Sequence, residues 1–475
     1  MSIADLSRRH FILAAAATAV GFAGLERHAA GGGIAGLLPI SSGYGPLVAD
    51  PRRLLDLPAG FTYAIIGRAG TPMDDGLLLP GKPDGMAAFR VHGGGQSLCV
   101  IVRNHELDPN SWNESPFGPD QALLRKLPAD VRSRLFDGGF GYTPGLGGTT
   151  TAYLDLADPA HPKVIRQFLS LAGTVRNCAG GPTPWGSWIS CEESTIGVGP
   201  NTERNHGYNF EVPAEAVELL PARPLEAMGR FNHEAVAVDP RTGIVYQTED
   251  EHEGLIYRFI PTTPGKLHEG GRLQALVVKD RPSFDSRNWE MQTVRVGEPL
   301  HVAWMDVDRP DNPAADLRFR EHDRGACRFA RGEGMWYGDT GSGPCVYFAC
   351  TNGGPAKKGQ IWRYVPGEHE GTDRDAESPG TLTLFAEPNS GEVVDNADNL
   401  TVAPWGDLVV CEDGGGEQFV RGVTPEGKLY TLARNAGQPS EFAGVCFDPS
   451  GRVMLINMQQ LGLTLAITGP WETRA

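Results

Sequence analysis

The sequence contains 475 residues, and its 58 acidic and 42 basic side chains give a formal net charge of −16 at pH 7. Nucleic-acid binding depends on clustered Lys and Arg, and no such cluster stands out, so the composition argues against a nucleic-acid partner. Hydrophobic residues make up 40% and charged residues 21%, which excludes a chain that is disordered throughout. The 62 Gly and 37 Pro residues indicate many tight turns and therefore mostly β structure.

The start of the sequence has the pattern of an export signal. Arg8 and Arg9 form a twin-arginine pattern within residues 7–13, and an apolar stretch follows at residues 14–25. This stretch is shorter than the ~20 residues that span a bilayer, so it predicts a cleavable signal rather than an anchor. Twin-arginine signals are read by machinery that exports folded proteins. We therefore expect a signal peptide at residues 1–30, the twin-arginine translocation machinery as a partner, no stable membrane span, and a periplasmic or secreted protein.

Short apolar runs separated by turn residues fill the rest of the chain. Runs at residues 97–102, 243–248 and 345–350 are rich in β-branched and aromatic side chains, which is typical of strands. The best helical periodicity lies at residues 119–136 and predicts a small insertion. The eight cysteines are too few for a disulfide scaffold, although export permits some of them to pair. We expect an all-β fold with small helical insertions.

An internal repeat indicates the architecture. A block at residues 184–193 returns at residues 404–413, an offset of 404 − 184 = 220 residues, and looser copies follow Glu234 and Glu333. If three repeats share this offset, each is about 73 residues long, and the mature chain holds about six of them. Four-stranded units repeated in this way describe a β-propeller. A pair of β-sandwich domains explains the duplication but not the looser copies. We expect a single six-bladed β-propeller domain over residues 31–475.

The repeat aligns two residue types that bind metals. Cys178 lies seven residues before Trp185, and Asp398 lies seven residues before Trp405. Thiolates and carboxylates are both good metal ligands, and the strands of a propeller start around a common axis. Further carboxylates at comparable strand starts or in similar motifs are Glu106, Glu234 and Glu333.

Acidic pairs stand at the far ends of the repeated strands. They are Glu192 with Glu193, Glu249 with Asp250, and Glu412 with Asp413. Carboxylates gathered at one axis repel unless cations neutralise them; oxygen ligands suit Ca²⁺, whereas a thiolate suits iron or another transition metal. The alternatives are solvated strand ends for the acidic pairs, a buried thiol or disulfide half for Cys178, and turn capping by the Asn of the Asn-His-Glu tripeptides.

These motifs are similar, in order and over nearly the whole chain, to those of the PhoX-type alkaline phosphatases. Besides the twin-arginine leader, they are Arg-Asn-His-Glu at 103–106, Asn-Cys-Ala-Gly-Gly at 177–181, the block at 185–193, Phe-Asn-His-Glu-Ala at 231–235, Arg-Gly-Glu-Gly at 331–334 and the block that begins at Trp405. The resemblance implies a six-bladed propeller that is exported folded, binds iron and calcium ions, and hydrolyses small-molecule phosphate esters.

The same resemblance implies roles for individual residues. By motif, the metal ligands are Cys178, Glu234, Glu333 and Asp398, with Glu106, Glu192 and Glu193 as further members of the cluster, and the cofactors are Ca²⁺ and Fe³⁺. Arg331 is the implied phosphate-binding residue, and Arg331 with Glu333 forms the predicted catalytic pair. Residues two apart in an extended strand point the same way, so both side chains are expected to face the axis. The alternative is an Arg–Glu ion pair at the protein surface.

Two other functions fit the same pattern. A propeller that binds only calcium can be a lactonase, a phosphodiesterase or a phosphotriesterase, since the fold alone does not choose among these reactions. A non-catalytic exported propeller can use the same carboxylates to hold structural calcium. Cys178 separates the first alternative from the phosphomonoesterase, because a calcium-only site gains nothing from a thiolate.

Overall fold

The computed structural model describes residues 42–93, 96–141, 144–312, 314–339 and 343–473, so the predicted signal peptide lies outside the described residues. Regular structure in this part of the chain is almost entirely β, as the sequence predicts. The strands are β1 Leu47–Val48, β2 Leu55–Pro58, β3 Thr62–Arg68, β4 Pro83–Gly93, β5 Gln96–His105, β6 Gly147–Asp155, β7 Lys163–Thr174, β8 Asn177–Pro182, β9 Ser187–Glu192, β10 Asn209–Pro213, β11 His233–Val238, β12 Val245–Glu249, β13 Ile256–Pro261, β14 Gly271–Val278, β15 Pro299–Asp306, β16 Gly332–Asp339, β17 Pro344–Cys350, β18 Gln360–Val365, β19 Thr381–Ala386, β20 Ala397–Val402, β21 Leu408–Glu412, β22 Phe419–Val423, β23 Leu429–Asn435, β24 Phe442–Phe447, β25 Val453–Met458 and β26 Leu463–Thr468.

The helices are few and short. Helices α1 (Ala122–Lys126) and α2 (Ala129–Arg132) lie between β5 and β6, inside the predicted helical insertion, and α3 (Leu317–Asp323) lies between β15 and β16. Single 3-10 turns occur at Trp112–Glu114, Gly139–Gly141, Glu226–Met228, Leu267–Glu269, Asp375–Glu377 and Trp471–Thr473. Within the described ranges, none of the helices has the length and apolar character needed to cross a membrane.

The strands form sheets in which consecutive strands pair side by side. The orders are β4-β5-β6-β7, β10-β9-β8, β11-β12-β13-β14-β15-β19-β18-β17-β16, β1-β2-β23-β22-β21-β20 and β24-β25-β26-β3. The early strand β3 pairs antiparallel with β26 and thereby completes the sheet formed by the last three strands of the chain. The two ends of the described chain are therefore joined by hydrogen bonds within one sheet.

One set of strands surrounds a common axis. Strands β4, β8, β11, β16, β20 and β24 each occupy an edge of a sheet, and each contacts the next in this order, with β24 contacting β4 again. The arrangement is therefore propeller-like, as predicted. The count of six blades stays a prediction, because the nine-stranded sheet runs without a break from β11 to β16 through the pairing of β15 with β19.

Apolar clusters between neighbouring sheets hold the innermost strands in place. One cluster includes Ile189 of β9 and Val236 of β11, and another includes Tyr347 of β17 and Leu400 of β20. All four side chains are almost fully buried. Burial of a large apolar side chain stabilises a fold by about 1.5–3 kcal/mol. These clusters therefore help to fix the positions of the strand ends at the axis.

Candidate metal centre

The innermost strands begin in the same way. Their second residues are, in ring order, Asp84, Cys178, Glu234, Glu333, Asp398 and Ala443. In the five strands that carry a potential ligand, the pairing register shifts between the first and the fourth residue. In β24 the shift comes one residue later, between Ala443 and Cys446. Bulges re-aim side chains and are frequent beside functional sites, so this shared irregularity explains how the five side chains reach the axis.

The potential ligand atoms form three overlapping groups, which we call the axial array. The groups are Asp84, Glu106 and Cys178; Cys178, Glu193 and Glu234; and Glu234, Glu333 and Asp398, and within each group the ligand atoms lie within 4.8 Å of one another. Because Cys178 and Glu234 each belong to two groups, the array is continuous.

The array contains six of the residues that the sequence indicated as ligands: Glu106, Cys178, Glu193, Glu234, Glu333 and Asp398. It also contains Asp84, which was not among them. A signal for Asp84 was present, because Asp84-Gly85-Met86 at the start of β4 matches Glu333-Gly334-Met335 at the start of β16. The other cysteines lie elsewhere, and all eight are free rather than paired in disulfides.

Glu192 lies outside the axial array. Its buried carboxylate accepts hydrogen bonds from the backbone N–H groups of Val175 at 2.9 Å, Gly207 at 2.9 Å and Tyr208 at 3.2 Å, and from Nδ1 of His206 at 2.6 Å. Burial opposes the charged form of His206, but Glu192 and Asp137 more than offset it and raise the pKa of His206 to about 9. The structure therefore gives Glu192 a structural position, in which it anchors the chain that follows β9.

The other acidic pairs divide in the same way. Glu249 accepts hydrogen bonds from the N–H of Leu255 at 3.1 Å and the hydroxyl of Tyr257 at 3.0 Å, and Glu412 accepts one from Nε of Arg421 at 2.8 Å. Successive side chains of a strand point to opposite faces. The side chain of the first residue of each pair therefore faces its own sheet. The side chain of the second residue, which is Glu193, Asp250 or Asp413, faces the axis.

Asn104 holds the strand that carries Cys178 and does not cap a turn. Its Nδ2 donates to the carbonyl oxygens of Cys178 at 3.0 Å and Ala179 at 2.6 Å, and its Oδ1 accepts a hydrogen bond from Nε1 of Trp188 at 2.9 Å. The Arg-Asn-His-Glu motif thus has two parts, since Asn104 positions β8 while Glu106 belongs to the axial array.

Glu234 lies at the centre of the array without a compensating partner. Both of its carboxylate oxygens are buried, and neither has a hydrogen-bond partner among the described residues. Burial raises the pKa of Glu234 well above its ordinary value, and the charges of Glu193 and Asp398 raise it further. A buried carboxylate of this kind is tolerated as an anion only beside a cation.

The same causes raise the pKa values of three further members of the array. Burial, followed by nearby carboxylates, raises the pKa of Glu333 and that of the Cys178 thiol well above their ordinary values. Burial and the charge of Asp413 raise the pKa of Asp398 to about 7. Carboxylate oxygens suit Ca²⁺, and a thiolate suits iron. The residues present therefore fit a cluster of cations, which would replace the protons that these groups otherwise retain.

Arg331 lies at the rim of the array. Its Nε and Nη2 donate to the two carboxylate oxygens of Asp250 at 2.7 and 2.6 Å, and Nη2 also lies 3.2 Å from Glu333. The Nη1 group has no partner among the described residues, and the side chain is 36% exposed. The φ angle of Arg331 is +54°, and β16 begins only at the next residue. The side chains of Arg331 and Glu333 do meet, as the sequence predicts. Arg331 lies outside the strand, however, so its left-handed backbone conformation, and not the alternation of side chains along a strand, brings the two together.

The raised pKa values predict how the stability of the cation-free protein depends on pH. Glu234, Glu333 and Asp398 hold protons to higher pH in the folded than in the unfolded chain, so the folded state binds more protons and loses stability as pH rises. We expect the unfolding temperature of chelator-treated protein to fall between about pH 5 and about pH 8. Added Ca²⁺ and Fe³⁺ should reduce this fall, and an equal fall with and without cations would contradict the assignment.

A matched pair of substitutions tests the division between neighbouring glutamates. Glu192→Gln puts an amide N–H against backbone donors, so we expect it to lower the free energy of unfolding by about 1–3 kcal/mol and to leave the metal content unchanged. Glu193→Gln removes a carboxylate from the array and should lower the metal content with a smaller effect on unfolding. Elemental analysis and denaturant unfolding of both variants provide the measurements, and the reverse pattern would show that the two roles are exchanged.

The chain is similar to known proteins over most of its length. Residues 42–139 and 146–462 match the family described as Alkaline phosphatase PhoX. A search of curated protein sequences found no match. The structure of Pseudomonas fluorescens PhoX in complex with vanadate, a transition state analogue, is 16% identical, covers 92% of this chain and 98% of its own, and superposes with a TM-score of 0.65. This likeness supports the fold.

A gluconolactonase from Xanthomonas campestris is 14% identical and covers 90% of this chain and 98% of its own, but its TM-score of 0.39 is too low to support an inference.

The family match, in contrast, spans the start of every innermost strand and all the residues of the axial array. It confirms the resemblance seen in the sequence motifs. The chain therefore belongs to the PhoX family of alkaline phosphatases.

Proposed function

We propose that the protein is a metal-dependent phosphomonoesterase that hydrolyses small-molecule phosphate esters at the axial array, with Ca²⁺ and Fe³⁺ as its cofactors. The observation that carries this proposal is the array itself, in which three groups of mostly buried ligands are linked through Cys178 and Glu234. Membership of the PhoX family supports the reaction. The unpartnered oxygens of Glu234 and the mixture of thiol and carboxylate donors support the cations.

The three groups of the array would hold cations with different sets of residues. Cys178 and Glu234 would help to hold cations in two groups each, because each belongs to two of the three groups. Asp84 and Glu106 would complete one end of the array, and Glu333 and Asp398 the other. When bound, the cations stabilise the negative charge that develops on the phosphoryl oxygens. They also make an acidic protein attractive to an anionic substrate, since the local charge is set by the ions rather than by the net charge.

Arg331 would bind the phosphate. Asp250 holds the guanidinium through two parallel hydrogen bonds, which fixes its plane and leaves Nη1 without a partner among the described residues. A group held in this way needs no reorganisation when charge develops on the substrate. Asp250 is therefore a positioning residue, and Arg331 would be the residue that touches the phosphate. Glu333 would lie beside both, because it contacts Arg331 and belongs to the array.

We also propose that the domain over residues 31–475 is one six-bladed propeller and that it is exported. The ring of β4, β8, β11, β16, β20 and β24 supports six blades, if the nine-stranded sheet is counted as two. The twin-arginine pattern supports export of the folded, metal-loaded protein to the periplasm or beyond. Fractionation of cells that express the chain with Arg8 and Arg9 changed to Lys tests export, and unchanged export would contradict it.

The proposed function is tested by elemental analysis of the purified protein combined with turnover of p-nitrophenyl phosphate before and after treatment with a calcium chelator. We expect iron and calcium in the protein, and activity that is lost with the chelator and restored by Ca²⁺. A folded protein that carries neither metal, or that carries both and hydrolyses no phosphate ester, would overturn the proposal.

Substitutions of the catalytic pair separate cluster assembly from phosphate binding. Glu333→Gln should lose metal and activity together, because it removes an anionic ligand from a site that needs charge balance. Arg331→Ala should keep the metals but lose about 2–4 kcal/mol of transition-state stabilisation, which is roughly a thirty- to a thousand-fold loss in rate. Arg331→Lys should recover only part of this loss, because a point charge cannot replace a planar fork.

Metal content and turnover measured on the same preparations decide between this assignment and a surface ion pair. A surface pair contributes only about 0–1 kcal/mol, so in that case both variants would behave like the wild type. Two near-wild-type enzymes would therefore remove Arg331 and Glu333 from the active site.

Cys178→Ser tests whether the array contains iron. A hydroxyl is a poor substitute for a thiolate, so we expect this variant to lose iron while part of its calcium remains. Cys191→Ser, a change to another buried cysteine that is not part of the array, should keep both metals and serves as the control. If Cys178→Ser keeps full activity and metal content, a calcium-only hydrolase such as a lactonase or a phosphodiesterase becomes the better assignment.

A further inference from the structure

Every innermost strand is preceded by a residue in an equivalent place. The carbonyl oxygen of this residue accepts a hydrogen bond from the N–H of the residue that follows the second strand of the same sheet. The acceptor and donor pairs are, in ring order, Lys82 and Glu106, Arg176 and Glu193, Asn232 and Asp250, Arg331 and Thr351, Asn396 and Asp413, and Glu441 and Gln459. Arg176 therefore occupies the place at β8 that Arg331 occupies at β16.

The two arginines also share a backbone conformation that is uncommon for residues other than glycine. Their φ angles are +47° for Arg176 and +54° for Arg331, in the left-handed region. Residues in this conformation cluster at functional sites. Their side chains are exposed to nearly the same extent, 34% and 36%. Both side chains are thus partly exposed to solvent at the rim of the array.

The contacts of the two guanidinium groups correspond as well. Nε and Nη2 of Arg176 donate to Oε1 of Glu106 at 3.0 and 2.8 Å, and Nη2 donates to Oε2 of Glu193 at 2.6 Å. Its Nη1 has no partner among the described residues, as in Arg331. In each arginine, carboxylates of the axial side occupy the Nε and Nη2 edge, and the same nitrogen is left for a ligand.

A pair of acidic residues connects the two arginines. Burial raises the pKa of the Glu193 carboxyl well above its ordinary value, and the charge of the neighbouring Asp250 raises it further. Since Glu193 also contacts Arg176 and Asp250 also contacts Arg331, the two guanidinium groups flank this pair on either side. Lys82, the third cation in an equivalent place, pairs among the described residues with Asp108 alone, at 3.5 Å, and Asp108 lies outside the array. Arg176 also lies 3.8 Å from Asp108, but it differs from Lys82 because it contacts the array carboxylates of Glu106 and Glu193 as well.

We propose that Arg176 is a second phosphate-contacting residue, so that the phosphate dianion of the substrate is held between the guanidinium groups of Arg176 and Arg331. This inference rests on the proposed function. Hydrogen bonds between a guanidinium and a phosphate are charge-assisted and stronger than neutral ones. In each arginine the nitrogen left for the phosphate is Nη1, which carries two N–H donors. Donors on two different strands would fix the orientation of the phosphoryl group relative to the array, whereas donors on one strand leave it free to rotate about its contacts.

The variants are chosen so that they keep the backbone conformation. Asn tolerates the left-handed region better than most residues and already occupies the equivalent place at Asn396, where φ is +55°. Arg176→Asn therefore removes the guanidinium without straining the backbone, and Arg176→Lys keeps the charge but not the planar guanidinium. Lys82→Asn removes a cation from an equivalent place with a φ of +40° and is the matched control.

The measurement is the dissociation constant of inorganic phosphate for each metal-loaded, full-length protein, determined by titration calorimetry and as competitive inhibition, together with metal content. We expect Arg176→Asn to raise the dissociation constant by a factor on the order of ten, equivalent to about 1.4 kcal/mol, at unchanged metal content. Arg176→Lys should recover a part of this loss. Lys82→Asn should bind phosphate as the wild type does.

Two results would overturn the inference while the proposed function stands. One is an unchanged dissociation constant in Arg176→Asn beside an active wild type, which would make Arg176 a partner of Glu106 and Glu193 alone. The other is a loss of metal that parallels the loss of phosphate affinity, which would assign Arg176 to cluster assembly. A metal-loaded wild type that neither binds phosphate nor hydrolyses its esters would instead overturn the proposed function, and the inference with it.

Discussion

The mutual repulsion of buried acidic groups at one axis is the constraint on which the rest of this structure depends. Six carboxylates and one thiol lie in overlapping groups whose ligand atoms are within 4.8 Å of one another. Burial and like charge both raise the pKa values of Glu234 and Glu333, and the oxygens of Glu234 have no hydrogen-bond partner in the described part of the chain. Only protons or cations can relieve this repulsion, so the stability of the fold depends on which of the two the array holds.

The acidic residues at the ends of the second strands face two opposite directions, and this limits how many of them add to the repulsion at the axis. Glu192, Glu249 and Glu412 face their own sheets and are satisfied by hydrogen-bond donors there, which anchors the ends of the second strands. The residue after each of them lies on the axial side. At the rim, Arg176 and Arg331 neutralise part of the excess charge and remain accessible to solvent. The positive charges of the two arginines thus stabilise the ring of strands and make its rim a favourable place for an anionic ligand.

Much of the site could be predicted because the chain repeats. The alignment of Trp185 with Trp405 led to Cys178 and Asp398, and both are the second residue of an innermost strand. Asp84 was missed because β4 is not followed by the Pro-Trp-Gly block on which that alignment depended. Glu192 was assigned to the array for a related reason, since two adjacent glutamates are equivalent in a motif until the direction of each side chain is known.

The sequence by itself determined the β class, the propeller-like repeat, the membership of a phosphatase family and most of the residue types at the axis. These properties follow from local patterns, such as apolar runs, turn residues and motif spacing, that do not require knowledge of distant contacts. Only the tertiary structure decided which carboxylates meet and which guanidinium nitrogens remain available. The start of β8 lies about 155 residues from the start of β16, and only closure of the ring places Arg176 and Arg331 on either side of one acidic pair.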